Sequence, residues 1–154
     1  MRNLITDIPG IKIGHADDVR LGSGATAIVF DEPAIASIDV RGGGPGTRET
    51  ALLDPAQTVE GIDAIALSGG SAFGLDAAGG AMAWLAAEGR GLAVGAVRVP
   101  IVPGASLFDL DNGGDKAWGR PAPYGDLGFE AAARAGEDFA LGTAAPDTGP
   151  RPTI

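Results

Sequence analysis

Cysteine is absent from this 154-residue chain, and histidine occurs once, as His15. The first absence removes disulfide frameworks, thiol nucleophiles, iron–sulfur clusters and cysteine-based zinc sites. The second excludes multi-histidine metal centres and leaves His15 as the sole base for any serine–histidine pair. Basic residues are also scarce: 11 Lys and Arg stand against 20 Asp and Glu, a formal net charge of −9. Such a chain repels phosphate backbones and anionic lipid, so no nucleic acid and no membrane is expected as a partner. Long apolar runs are missing too. Asp7 and Pro9 fall where a secretory signal would carry its apolar stretch, and Arg98, Pro100 and Pro103 interrupt residues 91–107. The cytoplasm is the expected location.

Glycine, by contrast, is abundant, with 26 residues, and 11 prolines accompany it. Apolar residues still make up 45% of the chain and fall in periodic blocks between the glycines, which a low-complexity chain would not show. One α/β unit over residues 1–141 is expected, followed by an irregular tail, 142–154, in which Pro146, Pro150 and Pro152 forbid regular structure. Early strands are predicted at Ile11–Ile13, 25–30 and 34–40, with Asp31-Glu32-Pro33 as the turn between the last two. A glycine-rich loop, 42–46, follows. Ile62–Leu67 reads as a buried strand, Ser68-Gly69-Gly70 as a tight turn, and Ser71 as the N-cap of one helix reaching Glu88. That helix carries two apolar stripes, one through Leu75 and Leu85 and one through Phe73 and Trp84, so both sides require cover. Gly79-Gly80 at its centre costs roughly 1 kcal/mol per glycine relative to alanine, which implies a second backbone packed closely there. One or two strands are expected within 92–102, an irregular stretch over 103–119, and a last helix near 127–135.

Three constellations bear on chemistry. Gly69-Gly70-Ser71 between strand and helix approaches a nucleophile elbow, but Phe73 stands where that motif needs glycine, and nothing brings His15 near. The turn's N–H groups could instead seat an oxyanion or a substrate carboxylate. Asp109-x-Asp111-x-Gly113-Gly114 begins like a calcium loop, yet Arg120 occupies the position of the bidentate glutamate. Loop 42–46 lacks the Gly-Lys-Ser/Thr ending of a phosphate loop. No metal or cofactor is implied. Asp109 beside Phe108 could line a pocket, whereas His15, Trp84 and Trp118 read as structural.

Four phrases in order resemble one family: Thr6-Asp7-Ile8-Pro9-Gly10-Ile11-Lys12-Ile13-Gly14-His15, Asp39-Val40-Arg41-Gly42-Gly43-Gly44-Pro45-Gly46-Thr47-Arg48-Glu49, Leu67-Ser68-Gly69-Gly70-Ser71-Ala72-Phe73-Gly74-Leu75 and Phe108-Asp109-Leu110. They are similar to those of the self-processing aminopeptidases, which include L-aminopeptidase/D-esterases, β-peptidyl aminopeptidases and nylon-oligomer hydrolases. The resemblance implies an α-β-β-α layered sandwich, incomplete here at its C-terminus. It also implies a precursor that cleaves its own backbone to expose a Ser or Thr whose free amine is its base. The family's nucleophile, lysine and asparagine lie beyond the matched region, so no catalytic residue is carried over. A pocket tyrosine of some members aligns with Phe108, which has no hydroxyl. The expected substrate-binding residues are therefore Gly69, Gly70, Ser71, Phe108 and Asp109. The expected partners are a nucleophile-bearing C-terminal segment, a small peptide or amide substrate, and further copies of the chain in a homo-oligomer. A binding or assembly module without catalysis is the competing reading.

Overall fold

The computed structural model describes residues 2–142. Its strands are β1 (Ile11–Asp18), β2 (Ser23–Ala34), β3 (Thr47–Arg48), β4 (Ile62–Ser68), β5 (Leu92–Val94), β6 (Val97–Val99) and β7 (Gly104–Ser106). The helices are α1 (Ser71–Gly74), α2 (Asp76–Ala87) and α3 (Tyr124–Ala133). Five strands form one sheet in the order β1-β2-β4-β7-β3, antiparallel throughout except for the parallel pair β4–β7. β5 and β6 make a separate hairpin. The chain is thus mixed α/β, and none of its described helices is long and apolar enough to cross a membrane.

Alternation along the strands sorts the sheet into two unlike faces. Toward α2 and α3 it presents Ala25, Ala27 and Val29 of β2 and Ala64 and Ala66 of β4, all buried with Ala78, Ala81 and Leu85 of α2. On the opposite face the laterally paired residues are Ile13–Ile28–Ile65 and His15–Thr26–Leu67–Ala105. Most of these remain half-buried. The small side chains on the helical face let the helices approach closely. A Cβ on Gly80 would overlap the Gly125 carbonyl of α3, one on Gly128 the Ala77 carbonyl of α2, and one on Gly14 the Ala131 carbonyl.

The second backbone expected against Gly79-Gly80 is, at Gly80, α3 of the same chain, whereas Gly79 faces the guanidinium of Arg48. Gly80→Ala restores about 1 kcal/mol of helix propensity but, against a backbone carbonyl that cannot swing aside, overpacks this contact by about 2–3 kcal/mol. A net loss of about 1–2 kcal/mol is the expected result in urea denaturation. Unchanged stability would mean that α2 and α3 separate freely.

Some expected elements differ. Residues 34–40 form no third strand: β2 runs on through Asp31-Glu32-Pro33 to Ala34, with a register shift between Val29 and Ala34. The expected turn is a continuing strand, because pairing to β4 resumes beyond the bulge. The helix expected from Ser71 to Glu88 is broken at Leu75. β7 lies within the stretch expected to be irregular, and α3 starts three residues earlier than expected, at Tyr124. The tail expected over 142–154 lies, apart from Gly142, outside the described residues.

Candidate functional site

The parallel strands β4 and β7 end side by side, and the chain turns away from both at their carboxyl ends, where α/β sheets form their ligand crevices. From β4 comes Gly69-Gly70-Ser71, and from β7 comes Leu107-Phe108-Asp109. Main-chain bonds knit the two together: Leu107 N–H donates to the Ser68 carbonyl (2.8 Å) and Ser71 N–H to the Leu107 carbonyl (2.8 Å). Asp109 completes the join. Its Oδ1 accepts from Gly70 N–H at 2.6 Å, and its Oδ2 accepts from the Ser23 hydroxyl at 2.6 Å. Tyr124, fully buried at the start of α3, donates its hydroxyl to Ser23 Oγ at 3.4 Å.

Four elements distant in sequence are in this way pinned around one carboxylate. The geometry leaves little room: a Cβ on Gly69 would overlap Asp109 and Ser23, and one on Gly70 would overlap the Tyr124 ring. Burial pushes the Tyr124 hydroxyl above its ordinary 10.0; the Ser23 hydrogen bond opposes this and the nearby Asp109 charge adds to it. The sign follows from linkage. Unfolded tyrosine ionises at a lower pH than the folded residue, so the stabilisation is whole below about pH 10 and is lost as pH rises toward the folded value. Because Tyr124 is the only tyrosine, tyrosinate absorbance reads this group alone. Onset above free tyrosine, together with an alkaline stability slope that Tyr124→Phe flattens, is the expected result; titration at the free value would contradict it.

The five residues expected to bind substrate are brought to one place, but in different postures. Gly69, Gly70 and Asp109 are buried, Ser71 is half-buried, and Phe108 is 76% exposed. The anion seat expected from the turn's N–H groups is not formed by residues 69–71. Gly69 N–H donates to Gly24, Gly70 N–H to Asp109 and Ser71 N–H to Leu107, so all three point into the fold. Ser71 makes no side-chain cap bond and is not the N-cap: Gly70, at φ 84°, precedes the helix, and Ser71 itself sits at φ 53°. Left-handed backbone at a non-glycine residue costs roughly 1 kcal/mol, and here the close join to Leu107 holds it.

His15 gives Ser71 no base. Its Nδ1 pairs with Thr26 Oγ1 at 2.8 Å and its ring packs on Phe139, on the sheet face turned away from the helices. Trp118 packs edge-on between Phe73 and Tyr124, at centroid distances of 5.5 and 5.9 Å, and Trp84 lies against the core. Both tryptophans are packing residues, as expected. No cluster of metal-ligating side chains occurs among the described residues, and Asp109 serves the turn instead of a calcium loop. Residues 42–45 are exposed, and Gly42, Gly43 and Gly44 have open space where a side chain would be, whereas Gly46 is half-buried against Ser106. Ser23 and Tyr124 escaped the sequence reading because they lie 86 and 15 residues from Asp109 with no motif linking them.

A family model described as peptidase family S58 matches residues 3–149. The chain belongs to that family. Among S58 relatives, the uncharacterized aminopeptidase Rv1333 of Mycobacterium tuberculosis (H37Rv) is 48% identical over 149 residues, covering 92% of this chain and 42% of its own length. The uncharacterized aminopeptidase ML1167 of Mycobacterium leprae is 45% identical over 163 aligned positions, covering 97% of this chain and 44% of its own length. The crystal structure of the PH0078 protein from Pyrococcus horikoshii OT3 superposes with a TM-score of 0.66 at 22% identity, over 92% of this chain and 43% of that one. The last likeness concerns the fold. This S58 chain thus spans less than half the length of the relatives it matches, and corresponds to their N-terminal portion.

Proposed function

We propose that residues 1–141 form one unit of an S58 aminopeptidase-type amide hydrolase, and that a C-terminal segment brings the nucleophile to the crevice at the ends of β4 and β7. The single observation that carries this reading is the apolar sheet face opposite α2 and α3. Ile28, Ile65 and Leu67 lie there half-buried, and no second multi-stranded sheet covers them among the described residues; a sheet with two apolar faces calls for cover on both. A second sheet seated on that face would complete an α-β-β-α sandwich. Its leading Ser or Thr, freed by cleavage of the precursor, would attack the amide carbonyl while its own amine takes the proton, then passes it to the departing amine as the C–N bond breaks, leaving an acyl ester that water hydrolyses.

In this reading Ser71 and Phe108 form the wall that faces substrate, a small peptide or aminoacyl amide. Gly69, Gly70 and Asp109 hold that wall in place. Phe108 offers apolar contact only. Self-association belongs to the proposal as well, and the hairpin supports it: Leu92, Val94, Val97 and Val99 share one face and are all exposed. Such an aliphatic patch on a chain of net charge −9 suits contact between copies without loss of solubility.

The test is complementation. The chain alone is expected to turn over no aminoacyl amide, and mixing with the separately produced C-terminal remainder of the Mycobacterium tuberculosis relative is expected to restore hydrolysis. Sedimentation of the same mixture reads the oligomeric state. A well-folded mixture that stays inert toward a panel of aminoacyl amides would sink the hydrolase reading and favour the non-catalytic module.

A further inference from the structure

The sequence of a strand outlasts the strand itself after Ala34. Residues 35–41, Ile-Ala-Ser-Ile-Asp-Val-Arg, alternate apolar and polar side chains toward their end, yet the last ladder pair is Ala34 with Ile62. Ile35 is 93% exposed, and Ile38 and Val40 are 43% and 44% exposed. No main-chain hydrogen bond engages residues 36–41 among the described residues. Beside this segment opens a cleft of about 370 Å³ lined by Ile35, Leu52, Leu53, Pro55, Val59 and Ile62. Its charged lining residues, Asp54 and Glu60, are both acidic.

A segment with free main-chain donors and acceptors next to an apolar cleft is what strand addition requires: the main chain supplies pairing and the cleft takes alternate side chains. We propose that residues 35–41 and this cleft receive one strand from the C-terminal remainder of S58 proteins, with an apolar side chain in the cleft and basic residues facing Asp54 and Glu60. This rests on the reading above but concerns a different surface, since the cleft lies beyond the end of the β2–β4 ladder and not on the open sheet face. Two observations choose the occupant. More than half the length of the relatives lies outside this chain, and a second copy seated here would set one acidic rim, Asp54 and Glu60, against another.

The experiment mixes the 154-residue chain with the C-terminal remainder of the Mycobacterium tuberculosis relative, and follows amide hydrogen exchange and binding affinity. Residues 36–41 are expected to exchange freely in the isolated chain and at least tenfold more slowly in the complex. Ile38→Pro removes an N–H that has no acceptor in the structure, so the isolated chain is expected to keep its denaturation midpoint while affinity falls tenfold or more. Glu60→Lys, an exposed change with no folding penalty, is expected to weaken binding about threefold and to flatten its salt dependence. A complex in which residues 36–41 exchange as before, with both variants binding at full strength, would overturn the docking site and leave the hydrolase reading intact. Slow exchange in the isolated chain, or protection that grows with its concentration alone, would overturn it too. Failure to form any complex would overturn both.

Discussion

Replacing Gly70 by alanine is expected to lower the thermal midpoint by about 10 °C or more. Two penalties combine in this one methyl group. The residue sits at φ 84°, where a Cβ costs roughly 1–2 kcal/mol. That Cβ would also overlap the ring of Tyr124, which is fully buried and held by Ser23 and Trp118, so the ring has no free space to yield into. Overpacking against a ring with no room to move adds about 2–3 kcal/mol, for a total of about 3–5 kcal/mol. In a chain of 154 residues each kcal/mol moves the midpoint by about 2–4 °C. Gly43→Ala is the control. Gly43 lies in the other glycine-rich phrase, its φ is not left-handed, and nothing stands within 4 Å of where its Cβ would be. It is expected to be neutral within about 0.5 kcal/mol. Equal melting of the two variants would show that Tyr124 does not brace the turn.

Asp109→Ala carries the second large effect. The carboxylate accepts from a buried main-chain N–H and a buried hydroxyl, and its removal strands both donors. Each unsatisfied group costs about 1–3 kcal/mol, so about 2–6 kcal/mol of stability is expected to disappear. Asp109→Asn separates hydrogen bonding from charge. Its amide oxygen can still accept from Gly70, but its NH2 faces Ser23 as a donor, so Ser23 Oγ accepts from it and the Ser23 hydroxyl proton loses its acceptor. A loss near half that of alanine is expected in denaturant titrations. Should asparagine and alanine cost the same, the negative charge, and not the pair of acceptors, would be what the turn depends on. A double-mutant cycle with Ser23→Ala is expected to show coupling of about 1 kcal/mol, because the two side chains share one bond.

Much of the fold is legible in local pattern. β4, the tight turn after it and a helix beyond were readable because alternation, glycine pairs and a 3.6-residue period are properties of neighbouring residues. The same reasoning carried too far at Ala34–Val40, whose composition suits a strand but whose ladder ends at Ala34. It stopped short at β7, where three residues following Pro103 hold no readable period. The helix break at Leu75 was invisible for a related reason. Arg48 of β3 donates to the Leu75 carbonyl at 3.3 Å, and no pattern within residues 71–88 records a partner 27 positions away.

The site divides along the same line. Gly69, Gly70, Ser71, Phe108 and Asp109 could be singled out because the phrases that hold them are unusual in themselves, and family membership was already present in four such phrases. Their postures could not. Whether the turn's N–H groups face a ligand or the interior depends on Asp109, Ser23 and Tyr124 meeting, and they meet only once β2, β4, β7 and α3 have packed. By itself the sequence determined composition class, charge, the early strands, β4 with the turn and helix after it, the last helix and the glycine positions, all set by short-range sterics and side-chain periodicity. The tertiary structure alone decided which donors are spent inside the fold, which sheet face stays open and which strand lacks a neighbour. Those outcomes depend on contacts between residues tens of positions apart, whose geometry is fixed only when the sheet closes against its helices.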